Sequence, residues 1–158
     1  MSNLQELKQK YKELGEEIER LEKKKRWRAK PGETYYFIGS YLLDVWCCNS
    51  DGSKNDTLCY ELGNYFKTKE EAQEVADKIK TYIELKQLAE ELNGDEEIDW
   101  KDKNQNKYYI FYSYTHDRLL QDNWKTIQYQ GTIYCLDKNF KEKAIEKIGE
   151  ERLKKLFI

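Results

Sequence analysis

The sequence contains only one proline, one histidine and one methionine in 158 residues, and no apolar run approaches the roughly 18 residues of a membrane-spanning helix. Its amino terminus is polar and lacks the apolar core of a secretory signal, so we expect a cytoplasmic protein that does not enter a membrane. The four cysteines, at positions 47, 48, 59 and 135, show no C-x-x-C spacing. They indicate reduced thiols, and neither a disulfide framework nor a structural zinc site.

Patterns typical of catalysis are also missing. His116 precedes Asp117, but a metal phosphohydrolase built on such a pair needs further histidines, and the sequence has none. No cysteine lies in a glycine-rich turn, and the eight glycines form no phosphate-binding loop. The sequence therefore predicts a protein that is not an enzyme and that binds no metal and no cofactor.

The first thirty residues predict a coiled-coil helix. Apolar residues recur at spacings of three and four, which is the a/d pattern of a coiled coil. These seam residues are Leu4, Leu7, Tyr11, Leu14, Ile18 and Leu21. Such a helix either pairs with a second copy to form a homodimer or folds back onto its own chain, and the sequence leaves both alternatives open.

A basic segment follows the seam and ends at the single proline. Its candidate nucleic-acid-binding residues are Lys23, Lys24, Lys25, Arg26, Trp27 and Arg28. In that role the cations would follow a phosphate backbone while the indole stacks on a base. The alternative is the carboxyl end of a helix, where cations complement the helix dipole and Trp27 anchors the helix to the domain.

Residues 31–158 predict one α+β domain behind the helical segment 1–30. Short aromatic and β-branched segments separated by polar turns predict a small antiparallel sheet packed with two helices. The predicted strands are 34–38, 41–48, 57–66, 107–115, 124–127 and 132–136, and the predicted helices are 68–92 and 138–148, with a short terminal helix after Gly149. A faint repeat at an offset of 69 residues matches Tyr65 with Tyr134 and Thr68 with Asp137.

Two further features indicate protein binding. Alternate residues of the strand 107–115 share a face, so Tyr108, Tyr112 and Tyr114 would lie together. That face is either an exposed contact surface, or it is covered by the N-terminal helix or a second subunit. An acidic loop provides the other candidate contact, with Asp95, Glu96, Glu97 and Asp99. Its carboxylates are suited to a basic surface on a partner.

Three segments carry a resemblance to a known family. They are Trp27-Arg28-Ala29-Lys30-Pro31-Gly32-Glu33, then Gly63-Asn64-Tyr65-Phe66 with Thr68 and Glu70-Glu71-Ala72, and finally Ile148-Gly149-Glu150-Glu151-Arg152-Leu153-Lys154-Lys155. Together they resemble small accessory proteins encoded by phages, prophages and mobile elements of Gram-positive bacteria, which often carry an N-terminal coiled coil. The residues at 39–58 and 115–131 differ from this pattern and are the candidates for partner specificity.

The resemblance implies a non-enzymatic inhibitor of a bacterial defence effector. An anti-CRISPR protein acting on a Cas9-type nuclease or its guide complex, in the cytoplasm of the host cell, is the leading example. The alternative is a nucleic-acid-binding phage accessory protein that uses the basic segment. A sponge for nucleotide second messengers ranks lower, because the chain has only five arginines to hold phosphates.

Overall fold

A computed structural model describes residues 3–23 and 26–158, with side chains for residues 4–20 and 26–158. Within these ranges the elements in chain order are α1 (Asn3–Lys23), β1 (Thr34–Ile38), β2 (Val45–Asn49), α2 (Lys54–Glu61), α3 (Lys69–Asn93), β3 (Lys107–Ser113), β4 (Arg118–Trp124), α4 (Phe140–Ile148) and α5 (Glu150–Phe157). The strands form two hairpins, β1–β2 and β3–β4, each a sheet of its own. The predicted α+β class is confirmed.

The described chain divides into two compact units. The first unit contains the described residues up to Phe37 together with Trp46–Lys69, and the second contains Ile38–Val45 together with Glu70–Ile158. The domain boundary predicted after residue 30 stays a prediction. No helix in the described part of the chain is long and apolar enough to cross a membrane.

Helix α1 leaves its apolar seam uncovered. The side chains from residue 4 to residue 20 are all exposed. The five seam residues among them are between 50% and 83% exposed, and they are Leu4, Leu7, Tyr11, Leu14 and Ile18. The side chain of Leu21 lies outside the described residues. From residue 4 to residue 18, the seam therefore does not pack back on the described part of its own chain, which was one of the two alternatives.

The first unit is held together by aromatic rings. Tyr35 of β1 and Tyr65 are buried, and their rings stack with centroids 4.0 Å apart. Trp27 lies against the Tyr65 ring at 5.8 Å, and Tyr60 meets it edge-on at 5.5 Å. Because offset and edge-to-face ring pairs stabilise beyond simple burial, this small unit has a defined core despite few aliphatic residues.

The prediction of a strand at 57–66 is wrong. Its first part belongs to α2, and Phe66 alone forms an isolated bridge, to Tyr36. The cause lies just upstream, where the Ser53 Oγ accepts the Asp56 backbone N–H at 3.2 Å and caps the helix. A serine cap of this kind commits the following turn to a helix even when the residues within it favour strands.

The second unit packs α4 and α5 against the β3–β4 hairpin. Strand β3 pairs antiparallel with β4, from Lys107 opposite Trp124 to Ser113 opposite Arg118. The core cluster consists of Leu85, Leu88, Ala89, Ile110, Leu119, Cys135, Phe140, Ala144, Ile148 and Leu153.

The prediction of a strand at 124–127 is wrong. The chain turns at 114–117, and residues 118–124 then pair directly with β3 as strand β4. Of the predicted strand 132–136, only Cys135 is paired, in an isolated bridge.

Helices α3 and α4 each end directly before a glycine. Helix α3 ends at Asn93 before Gly94, and Gly149, with φ 97°, separates α4 from α5, as the sequence predicts. The start of α4 differs from the prediction. Asn139 occupies the cap position, and the Asp137 carboxylate instead accepts the Asn139 N–H at 2.7 Å and pairs with Lys143 at 2.6 Å.

The two hairpins share a local arrangement, in which a residue of a later segment forms a bridge to the first strand of the hairpin. Tyr36 and Phe66 exchange backbone hydrogen bonds of 2.9 and 2.8 Å in the first unit. Tyr108 and Cys135 exchange bonds of 2.7 and 2.9 Å in the second. A tyrosine precedes each bridging residue, and a tryptophan contacts that tyrosine, in the pairs Trp27–Tyr65 and Trp100–Tyr134. The repeat seen faintly in the sequence therefore has a structural counterpart.

Candidate functional site

The tip of the β1–β2 hairpin is a tight turn with an unusual backbone. The Asp44 N–H donates to the Tyr41 carbonyl at 3.2 Å, and the Gly39 N–H donates to the Asp44 carbonyl at 2.8 Å. The two residues at the centre of the turn, Leu42 and Leu43, both have φ 54°. Positive φ at both central positions defines a type I′ turn, which normally contains Asn-Gly because other residues are strained there.

This turn combines backbone strain with exposed apolar side chains. A left-handed conformation costs an ordinary residue about 1–2 kcal/mol. Leu43 is half-buried, but Leu42 is 68% exposed, so burial does not offset that cost at Leu42, and Tyr41 beside it is 73% exposed. Strained backbone is concentrated at functional sites, and exposed apolar groups are typical of contact surfaces. We refer to Tyr41 and Leu42 as the hairpin tip.

The tyrosines of β3 do not form a free surface. Tyr108 and Tyr112 are half-buried and pack against the core cluster of the second unit. They share a face of β3 with Ile110, which is itself a core residue. The Tyr112 hydroxyl donates to the Asp117 carboxylate, which raises the pKa of the tyrosine. Tyr114 is 73% exposed, with its ring edge-on to Tyr112 at 5.0 Å. The predicted partner-binding role thus stays a prediction, and Tyr114 is the one of the three that presents its ring to solvent.

The acidic loop keeps its carboxylates in solvent. The side chains of Asp95, Glu96, Glu97 and Asp99 are all exposed. Gln105 fixes the loop from within, because its Oε1 accepts the Asp99 N–H at 2.8 Å and its Nε2 donates to the Glu97 carbonyl at 2.9 Å. Within the described residues, no three His, Cys, Asp or Glu side chains are grouped so that they could hold a metal ion. The loop is therefore a fixed patch of negative charge.

In the basic segment, the arginines lie on a tyrosine and the tryptophan lies against the core. The guanidinium groups of Arg26 and Arg28 are 3.9 and 4.9 Å from the centre of the Tyr60 ring. Arg28 also donates to Thr57 at 3.2 Å, and the Tyr60 hydroxyl donates to the Arg26 carbonyl at 3.0 Å. Trp27 is half-buried against Tyr65, which favours its anchoring role over base stacking. The Lys23 side chain and all of Lys24 and Lys25 lie outside the described residues.

The other candidate groups in the described part of the chain are one histidine and four cysteines. His116 sits in the exposed β3–β4 turn, where its Nδ1 is 2.9 Å from the Ser113 hydroxyl. Cys47 and Cys48 are exposed, whereas burial raises the pKa of the Cys59 and Cys135 thiols. Protonated thiols are poor nucleophiles.

The second unit also has an apolar groove of about 350 Å³. Tyr82 of α3, Phe111 of β3 and Phe157 of α5 contribute rings to its wall, and no charged side chain lines it. A site that orients a polar substrate needs convergent polar or charged groups. The polar side chains in the lining of the groove are those of Gln130 and Thr132 and the two tyrosines, Tyr82 and Tyr109.

Sequence reasoning did not find the hairpin tip, because residues 41–48 resemble one continuous strand. Leu42 and Leu43 give none of the usual turn signals, and only the flanking Gly39, Ser40 and Asp44 suggest a turn. Comparison of the chain with protein-family models, curated proteins and solved structures finds no match.

Proposed function

We propose that this chain is a non-catalytic binding protein that uses the hairpin tip to contact a partner protein. The observation that carries the proposal is a pair of exposed apolar side chains at one turn, where Leu42 also has a backbone conformation that leucine disfavours. A tyrosine with a rigid apolar ring and one polar end is among the commonest energetic anchors of protein interfaces. The backbone hydrogen bonds of the turn fix the main chain at Tyr41 before binding, so little backbone entropy is lost when the partner docks.

The partner we propose is a bacterial defence effector, with a Cas9-type nuclease or its guide complex as the first candidate. The protein would then act as a phage-encoded inhibitor in the host cytoplasm, by occupying a surface of the effector. Support comes from the resemblance to phage accessory proteins, and from the location of the tip inside residues 39–58, the candidates for partner specificity. The four exposed carboxylates of the acidic loop add charge complementary to a basic, nucleic-acid-binding surface.

The test is a binding measurement between the full chain and the purified nuclease, with and without guide RNA. We expect Tyr41→Ala and Leu42→Gly each to weaken binding about tenfold or more, as for anchors at other interfaces. Leu62→Ala is the matched control, since Leu62 is also 73% exposed but follows the end of α2 and is not part of the turn. It should leave the affinity unchanged.

Leu42→Gly should also change stability in the opposite direction to binding. Glycine adopts φ 54° without strain, so the variant should be about 1 kcal/mol more stable in urea denaturation. A less stable variant would mean that the leucine serves the fold. Equal binding by wild type and both tip variants would refute the tip as the contact. Failure of the wild type to bind any defence effector would refute the partner class.

A second candidate function, nucleic-acid binding, is favoured by the two adjacent guanidinium groups above Tyr60. Both Arg26 and Arg28 are exposed, so they remain able to contact phosphates. For this function, affinity for a single-stranded oligonucleotide should fall steeply with salt and be lost in the double variant Arg26→Gln, Arg28→Gln. Lys30→Gln is a nearby control for net charge. Affinity that is insensitive to salt would exclude this function.

A further inference from the structure

Helix α1 carries an apolar seam that its own chain does not cover. The aromatic and aliphatic side chains at residues 4, 7, 11, 14 and 18 are between 50% and 83% exposed. A seam of this length exposed to water is typical of a surface that another helix covers. We propose that the covering helix is α1 of a second copy of this chain, and that the two helices run antiparallel.

The seam residues are mutually complementary in the antiparallel orientation. Leu4, Tyr11 and Ile18 occupy a positions, whereas Leu7 and Leu14 occupy d positions. In an antiparallel pair a positions face d positions, so Tyr11 lies opposite Leu14 of the second copy and Leu7 lies opposite its Ile18. Each bulky a residue is then matched with a leucine.

The charged residues beside the seam select this orientation. Lys10 and Glu17 occupy g positions, and Lys8 and Gly15 occupy e positions. In the antiparallel register defined by the seam, Lys10 of each copy lies beside Glu17 of the other, so the dimer has two such pairs related by its two-fold axis. The lysine and the carboxylate are complementary in both places.

The parallel orientation lacks this complementarity. There, a g position lies beside the following e position of the second copy, which brings Lys10 to Gly15 and leaves the lysine without a carboxylate. The same orientation places Tyr11 against Tyr11 of the second copy. In the single chain Glu17 pairs with Arg20 at 2.6 Å, but both side chains are exposed and such pairs are weak. Glu17 therefore remains available to Lys10 of a second copy.

The test is analytical ultracentrifugation of the full chain over a range of concentrations, with charge-reversed variants. We expect a reversible dimer that Leu14→Glu converts to a monomer. Lys10→Glu and Glu17→Lys should each weaken dimerisation about three- to tenfold, because each places like charges side by side. The double variant Lys10→Glu, Glu17→Lys should recover the wild-type affinity.

Two residues on the outer face of α1 supply matched controls. Lys12 and Glu16 pair with each other at 3.9 Å and lie away from the seam, at b and f positions. Lys12→Glu and Glu16→Lys change the same charges and also break an intrahelical pair, yet they should leave the dimer intact. A zero-length cross-linker should join Lys10 of one copy to Glu17 of the other, as read by mass spectrometry of the covalent dimer.

Each other outcome overturns part of the inference. A wild-type chain that is monomeric at every concentration would show that a second copy does not cover the seam. A dimer whose affinity is unchanged by Lys10→Glu and by Glu17→Lys would be inconsistent with antiparallel pairing. Weak dimerisation in both single variants without recovery in the double variant would show that the charges act through helix stability and not across the interface.

Discussion

Replacing Phe140 with alanine is expected to lower the free energy of unfolding by about 3–5 kcal/mol. The Phe140 ring is fully buried at the first residue of α4, in the core cluster of the second unit. Its removal leaves a cavity, which adds to the lost burial of the ring. The loss should be this large because α4 and α5 are held to the β3–β4 hairpin through that cluster.

Urea denaturation of the full chain, followed by circular dichroism, measures this loss. Tyr114→Ala is the control, because it also removes an aromatic ring but from a side chain that is 73% exposed. Its effect should stay within about 0.5 kcal/mol of the wild type. A loss below about 1 kcal/mol for Phe140→Ala would contradict the assignment of this ring to the core.

The helices with strong periodicity or strong ends could be predicted from the sequence. The a/d spacing of α1 and the glycines after α3 and α4 are local signals, and the structure follows them. Helix α2 could not be predicted in this way, because Thr57, Tyr60 and neighbouring residues favour strands. There the Ser53 cap and the buried Asp56 outweigh the propensities of the residues that follow.

Parts of the candidate site depend on contacts that are distant in sequence. Alternation along β3 placed Tyr108, Ile110 and Tyr112 on one face correctly, but the packing of α4 and α5 made that face the buried one. The hairpin tip is similar in this respect. Its left-handed leucines are imposed by the pairing of β1 with β2 on both sides of the turn, which no local preference of Leu-Leu would indicate.

The repeated arrangement explains how a chain with few aliphatic residues forms two units. In each, a tryptophan, a tyrosine before the bridging residue and two reciprocal backbone bonds fix a later segment beside the first strand of a hairpin. The two hairpins differ at their turns, which take no part in this shared arrangement. In one hairpin the turn is Leu42-Leu43, and in the other it contains His116 and Asp117.

Asp56→Ala is expected to destabilise the protein by about 2–4 kcal/mol through lost charge-assisted hydrogen bonds. The Asp56 side chain is only 2% exposed, and its Oδ2 accepts the Ser50 hydroxyl at 2.8 Å and the Gly52 N–H at 3.0 Å. Alanine would leave both donors without an acceptor beneath the loop that enters α2. Asp51→Ala is the control, since this carboxylate in the same loop is exposed and accepts the Ser53 N–H at 2.8 Å, so its loss should be much smaller.

The same carboxylate should make stability depend on pH. Burial alone would raise the pKa of Asp56, but the hydrogen bonds from Ser50 and Gly52 and the nearby Arg28 outweigh burial and hold it below the ordinary value of 3.8. A lowered pKa in the folded state means that the charged form stabilises the fold. The stability advantage of wild type over Asp56→Asn should therefore be complete above pH 3.8 and vanish as the pH falls through the folded pKa. Urea denaturation of both proteins from neutral to strongly acidic pH measures this difference, and an advantage that stays constant or grows in acid would show that the carboxylate is not charged in the folded protein.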